Sequence, residues 1–356
     1  MNGQTRPIPV TVGFVPLIDA ALLVVAREEG FASMEGLDLT LVREGSWAAI
    51  RDKLNVGLFD AAHMLAPAAI ASTLGLGHLQ VPLIAPLALN LDGNAITVSN
   101  ALADELRALI QPGEAAVSPG QTAKALATVI AQRARNGLEP ITVGVVFGFS
   151  CHVYQMQAWL GSGGIDLERD TRLVVIPPPL MVESLAAGLV DVFCAGAPWN
   201  RLAEAAGAGR VLHPCASFSP DCPEKLLVLR QDRQGASWLA GLIRAIVRAS
   251  LWASEPNNLR VLARHLARPD YIGAPVGVIE AVLAGHAPTL FNAAPTSWIR
   301  LDQEATLPAV SRLRAVFDMM VDAGQITPDQ QLWTKAMGIA RPDLYAKALA
   351  GTLNRA

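Results

Sequence analysis

Several absences narrow the reading of this 356-residue sequence before any motif is considered. It has no Gly-x-x-x-x-Gly-Lys loop for phosphates, no Gly-x-Ser-x-Gly nucleophile elbow and no His-Glu-x-x-His zinc motif, which removes the commonest enzyme signatures. It has no block of lysine or arginine, and its formal net charge is −3, so nucleic acid is not expected as a direct ligand. The four cysteines, Cys151, Cys194, Cys215 and Cys222, form no Cys-x-x-Cys pair and no spaced metal set. They read as free thiols of a reducing compartment or as small core residues. Charged residues make up only 17% of the chain against 52% hydrophobic, enough apolar material for a large core or two ordinary ones. The nearly uncharged stretch 63–91 is broken by Pro67, Pro82 and Pro86, so it reads as buried helix, loop and strand rather than a membrane span. Met1–Pro7 leads into the first strand without an apolar signal segment, which gives two expectations: a cytoplasmic protein, or one from which a signal segment has been removed.

What is present is a pattern that occurs twice. Leu54, Gly57, Leu58, Asp60 and Pro67 recur at the same spacing as Leu185, Gly188, Leu189, Asp191 and Pro198, and Val10-Thr11-Val12-Gly13 is matched upstream by Ile141-Thr142-Val143-Gly144. Each copy reads as a helix closed by a left-handed glycine, a short apolar strand, and a proline in the first turn of the next helix. Ligands of open α/β sheets bind outside the carboxyl ends of such strands. Two copies therefore predict two α/β lobes with a ligand cleft between them. The expected division is residues 1–95 with 220–356 in lobe I, including the C-terminal helices, and 96–219 in lobe II.

The pass along the chain places Asp19 as the cap of a helix over 20–29 and Ser46 as the cap of a helix through Leu54, with Trp47 in its first position. Further helices are expected over 303–323 and 328–337. Cys151-His152 is a poor catalytic dyad, because neighbouring side chains diverge. By position, though, His152 starts a helix after strand 141–146 and faces the expected ligand site. His63 follows a strand and reads as core or as support for the site. His78, His213, His265 and His286 show no metal-ligand spacing. Trp47 offers an indole N–H and a flat wall. Lys225, beside the apolar run 226–229, needs a partner if buried, and an anionic ligand would supply one.

The segments 43–54, 60–67, 93–97, 196–200 and 341–345 together resemble the nitrate- and bicarbonate-binding family, which comprises transport solute-binding proteins and cytoplasmic nitrate/nitrite sensors. The resemblance implies a two-lobed type II periplasmic-binding-protein fold. It implies that Trp47, Asn94, His152 and Lys225 contact nitrate or nitrite, with no catalytic residue, metal or cofactor. Asn94 stands where the family usually has glutamine. Ala197 stands where transport members carry a glutamate, which argues against a metal-linked bicarbonate site. For a sensor, the resemblance implies an RNA-binding antiterminator of the ANTAR class as partner, released when the anion binds. The alternative is the solute-binding component of an ABC nitrate transporter. A pyrimidine-precursor synthase of thiamin biosynthesis ranks below both, since its cysteine-rich motif is absent.

Overall fold

The computed structural model describes residues 6–110, 117–285, 289–291 and 298–350. The chain divides into two compact units, Met1–Leu91 with Pro223–Val276 and Arg300–Ala356, and Asp92–Cys222 with Gly277–Ile299.

Strands are numbered along the chain: β1 Ile8–Phe14, β2 Leu37–Arg43, β3 Ala61–Leu65, β4 Leu83–Ala88, β5 Asn94–Ser99, β6 Thr142–Val145, β7 Arg172–Val175, β8 Val192–Gly196, β9 Gly209–Pro214 and β10 Lys225–Arg230. The first unit holds a sheet in the order β2-β1-β3-β10-β4, and the second a sheet in the order β9-β5-β8-β6-β7. In the first, β1 runs parallel to β2 and β3, while β10 is antiparallel to β3 and β4. In the second, β6 runs parallel to β7 and β8, while β5 is antiparallel to β8 and β9. The two sheets share one topology. Helices cover the strands, so those at the centre are buried throughout: all five residues of β3 and all five of β8 are buried.

The sequence repeat has a physical basis in this frame. Val12 and Gly13 of β1 pair with Ala61 and Ala62, and Val143 and Gly144 of β6 pair with Val192 and Phe193 in the equivalent register. Each repeat aspartate fixes that register. Asp60 Oδ2 accepts the Thr11 N–H at 2.9 Å and its own N–H donates to the Thr11 carbonyl. Asp191 Oδ2 accepts the Thr142 N–H at 2.8 Å and its N–H likewise returns to the Thr142 carbonyl. Gly57 and Gly188 take φ of 79° and 71°, the left-handed turn that only glycine enters without penalty. Gly13 leaves room for the Phe59 ring, which a Cβ there would meet at 2.3 Å.

Several expectations need correction. Residues 277–299 belong to the second unit rather than with the C-terminal helices, and the Leu290 N–H donates to the Val211 carbonyl of β9 at 2.7 Å. β9 itself and the helix Pro342–Ala350 were not predicted, whereas the helix expected after Pro198 is present as Trp199–Ala205. The expected helix over 303–323 is a short turn at Glu304–Thr306 and a helix only over Val310–Asp322, because Pro308 interrupts it. All four cysteines are buried and free, with Cys194 and Cys215 Sγ 3.8 Å apart. Among the described residues no helix is long and apolar enough to cross a membrane.

Because each aspartate accepts a strand N–H, Asp60→Ala and Asp191→Ala are each expected to lower stability by about 1–3 kcal/mol. Urea unfolding of the two variants measures this; midpoints equal to the unsubstituted chain would remove the register role.

Candidate functional site

In the first unit, four ionisable side chains meet in the interior. Lys225, the first residue of β10, has no exposed surface. Its Nζ lies 2.8 Å from Asp19 Oδ2 and 2.7 Å from Glu224 Oε2. The partner expected from a ligand is therefore supplied twice by the protein. Asp19 does not cap a helix: it sits in the turn Ile18–Ala20 after β1, and the helix Ala21–Glu28 has no side-chain cap. Its second oxygen, Oδ1, lies 2.9 Å from His63 Nε2 in the middle of β3. His63 Nδ1 lies 3.4 Å from the Val15 N–H and accepts from it.

Trp47 completes this cluster. The Ser46 hydroxyl accepts the Ala49 N–H at 3.2 Å, capping the helix Trp47–Asn55 as expected and fixing Trp47 at its first position. The indole lies edge-on to the His63 ring, with centroids 5.1 Å apart. It is only 2% exposed, yet its Nε1–H has no hydrogen-bond partner among the described residues. A buried N–H without an acceptor costs on the order of 1–3 kcal/mol.

The electrostatics follow from burial and pairing. Burial pushes the Asp19 carboxyl up, but the Lys225 ammonium and then His63 outweigh it and hold the pKa at about 2. Burial pushes the Lys225 ammonium down, and the Asp19 and Glu224 carboxylates overcome it, so its pKa lies above the ordinary lysine value.

In the second unit, Asn94 is the first residue of β5, opposite Gly196 of β8, as Lys225 is the first residue of β10, opposite Leu65 of β3. Asn94 and Lys225 thus hold equivalent positions in the two sheets. Asn94 Nδ2 donates to Gln155 Oε1 at 2.8 Å. Gln155 lies on the helix Cys151–Gly161, one turn after His152, so both share a face. The Ser150 hydroxyl caps this helix through the Val153 N–H and donates to the Phe147 carbonyl. Asn94, His152 and Gln155 are all buried.

Of the four predicted contact residues, Trp47 and Lys225 therefore belong to one cluster of the first unit, joined through His63 and Asp19; in the second, Asn94 bonds Gln155, which shares a helix face with His152. Asp19, Glu224 and Gln155 were missed as site residues. The spacing of Gln155 from His152 was a usable signal, whereas nothing local marks Asp19. The other histidines are structural. His78 bonds Ser72 Oγ and the Leu76 carbonyl, His213 bonds Thr122 Oγ1 and is held by burial at a pKa of about 4, and His265 pairs with Glu29. His286 lies outside the described residues. Among those residues no group of three or more His, Cys, Asp or Glu side chains is arranged to hold a metal ion.

The sequence matches the model of the NMT1-like family over residues 3–267. The chain belongs to the NMT1-like family. Within reach of this NMT1-like chain is the nitrate import ATP-binding protein NrtC of Synechocystis sp., 34% identical over 277 residues, which are 76% of this chain and 39% of that protein. The nitrate/nitrite binding protein NrtA of Synechococcus elongatus is 32% identical over 286 residues, 78% of this chain and 62% of that protein. The chain thus spans less than two thirds of either relative. The crystal structure of the periplasmic nitrate-binding protein NrtA from Synechocystis PCC 6803 superposes with a TM-score of 0.87 at 22% identity, covering 97% of this chain and 89% of that one. A ligand-binding component of an ABC-type import system from Staphylococcus aureus gives 0.73 at 16% identity, covering 96% and 99%. The NMT1-like chain has the two-lobed α/β periplasmic-binding-protein fold.

Asp19 carries the stability of the buried cluster. Asp19→Ala at neutral pH is expected to destabilise the protein by about 3–5 kcal/mol, because it removes one partner of a buried ammonium. With a folded pKa of about 2 below an unfolded value of 3.8, Asp19 stabilises fully above pH 4 and loses that contribution as pH falls through 2. The loss amounts to about 2–3 kcal/mol. Denaturant titrations at pH 4 and pH 2 of the unsubstituted and Asp19→Asn proteins test this; an equal acid loss in both would contradict it.

Proposed function

We propose that this chain is a binding protein for nitrate and nitrite, not an enzyme, and that Trp47, Asn94, His152 and Lys225 contact the anion. The observation that carries the reading is the Trp47 indole N–H, buried and without an acceptor among the described residues, against the ring of His63, which pairs with Asp19 of the Lys225 cluster. Nitrate is planar, permanently charged at physiological pH and rich in acceptors. Indole, imidazole and amide N–H groups donate to it from separate directions, and Lys225 supplies positive charge. Hydrogen bonds to a charged group contribute about 1.5–3 kcal/mol each, so a few of them support micromolar affinity after ordering costs. The names of the relatives support the same ligand class: NrtA is a nitrate/nitrite binding protein.

The finer reading is a cytoplasmic nitrate/nitrite sensor of the NasS type. It would hold an ANTAR-class, NasT-like antiterminator and release it when the anion binds, and so control nitrate assimilation. Such release requires the anion to favour the free form over the complex, by linkage. The low charge and absence of basic runs suit a chain that acts on RNA only through a partner. The second reading, the solute-binding component of an ABC nitrate transporter, is favoured by relatives named for nitrate import and nitrate binding.

Calorimetric titration with nitrate, nitrite and bicarbonate tests the ligand. Micromolar nitrate binding is expected, weakened at least tenfold by Lys225→Ala. Trp47→Phe keeps the ring and loses the donor, and it is expected to weaken binding roughly ten- to a hundredfold. Unchanged affinity in both variants would move the anion elsewhere. Titrating nitrate into a mixture with an ANTAR antiterminator then separates the two readings. Dissociation of a complex supports the sensor, and a complex indifferent to saturating nitrate, or none at all, supports transport.

A further inference from the structure

The second unit carries an open pocket of about 610 Å³ that shares no lining residue with the proposed nitrate site. Its charged lining side chains are Arg107, Arg201, Glu204 and Arg210. They come from three elements: the helix Asn100–Leu109, the helix Trp199–Ala205 and the edge strand β9. The helix Val276–Leu283 adds Gly277 and Ala281, one turn apart on the pocket side. A Cβ at Gly277 would meet nothing within 4 Å, so this wall leaves the pocket open.

The charges of the lining are unequal, and a guanidinium keeps its proton in proteins. Both oxygens of Glu204 are engaged: Oε1 accepts the Val211 N–H at 2.9 Å, and Oε2 accepts from an Arg201 Nη1. Arg201 still has a buried Nε–H without an acceptor among the described residues. Arg107 lies 3.6 Å from Asp104, whose side chain is 76% exposed, so solvent screens that pair. Arg210 meets no carboxylate among the described residues, and its guanidinium donates to the Gly209 carbonyl at 3.3 Å. Three guanidiniums thus line one pocket with a single carboxylate among them.

We propose that this pocket binds a small organic dianion, with the Arg201 and Arg210 guanidiniums holding its acidic groups. A guanidinium presents paired N–H donors that match the oxygens of a carboxylate or a phosphate. The Arg201 Nε–H is a donor in need of an acceptor, and Arg210 is a cation in need of a counter-charge. Beyond the arginine that Glu204 pairs with, two more line the pocket, so the ligand that balances them carries two negative charges. A phosphate monoester has both on one group, and a dicarboxylate has one at each end. The volume is that of a small-molecule site and leaves room for an organic body beside the acidic groups. This site stands independently of the nitrate reading, since the two have no residue in common.

The test is calorimetric titration of the full chain with glycerol phosphate and with succinate, at neutral pH and low salt, beside glycerol and succinamide as neutral counterparts. A dissociation constant of about a millimolar or lower is expected for the dianions, and no binding for the neutral compounds. The tighter of the two dianions tells phosphate from carboxylate recognition. Arg210→Gln breaks no ion pair among the described residues and is expected to weaken dianion binding about tenfold. Arg201→Lys keeps the charge but loses the Nε–H, and is expected to weaken it by a similar factor. Ala281→Leu narrows the pocket without changing its charge and is expected to weaken binding as well, which diffuse attraction to exposed arginines would not show. Urea midpoints of the variants equal to that of the unsubstituted chain separate lost binding from lost folding. Failure of both dianions to bind the unsubstituted chain overturns the proposal. Binding that Arg210→Gln and Ala281→Leu leave unchanged overturns it too, because the dianion then sits elsewhere.

Discussion

A lysine ammonium with no exposed surface is the constraint around which the first unit is arranged. Removing such an ion from water costs several kcal/mol, and only close, well-directed partners recover it. Lys225 has two, Asp19 and Glu224, and they tie together segments far apart in sequence: the turn after β1 and the start of β10. Asp19 extends the tie to His63 in β3, and the His63 ring seats Trp47. The donor that the site presents, the Trp47 indole N–H, is therefore held in place by a chain of contacts that begins at the ammonium.

The second unit reuses the frame with different chemistry. Asp60 and Asp191 pin the same strand register in the two sheets, and β10 and β5 enter them in the same place. At their first residues one sheet presents an ammonium and the other an amide.

Legibility in the sequence followed the range of the interaction. The Ser46 cap and the position of Trp47 were readable because capping acts over three residues, and the left-handed turns at Gly57 and Gly188 because glycine marks them locally. The duplicated sheet was readable because two separate segments kept one spacing. Asp19 was misread as a helix cap, a local role, when its partners come from β3 and β10. Lys225 was correctly expected to need a negative partner, but sequence could not say that two carboxylates already fill that need. β9 escaped notice because it is an edge strand that ends at Pro214, and its partnership with Leu290 went unseen for the same reason. Those non-local pairings are set by the tertiary fold and leave no periodic signature.

The proposed anion binding turns on one hydrogen bond, from the Trp47 indole to nitrate. Its most direct test is the resonance of the Trp47 indole N–H in nitrogen-15-labelled protein, assigned by its loss in Trp47→Phe and followed as nitrate is added. The account predicts a downfield proton shift that saturates with nitrate. A Trp47 indole resonance that stays fixed while nitrate binding saturates by calorimetry would contradict it.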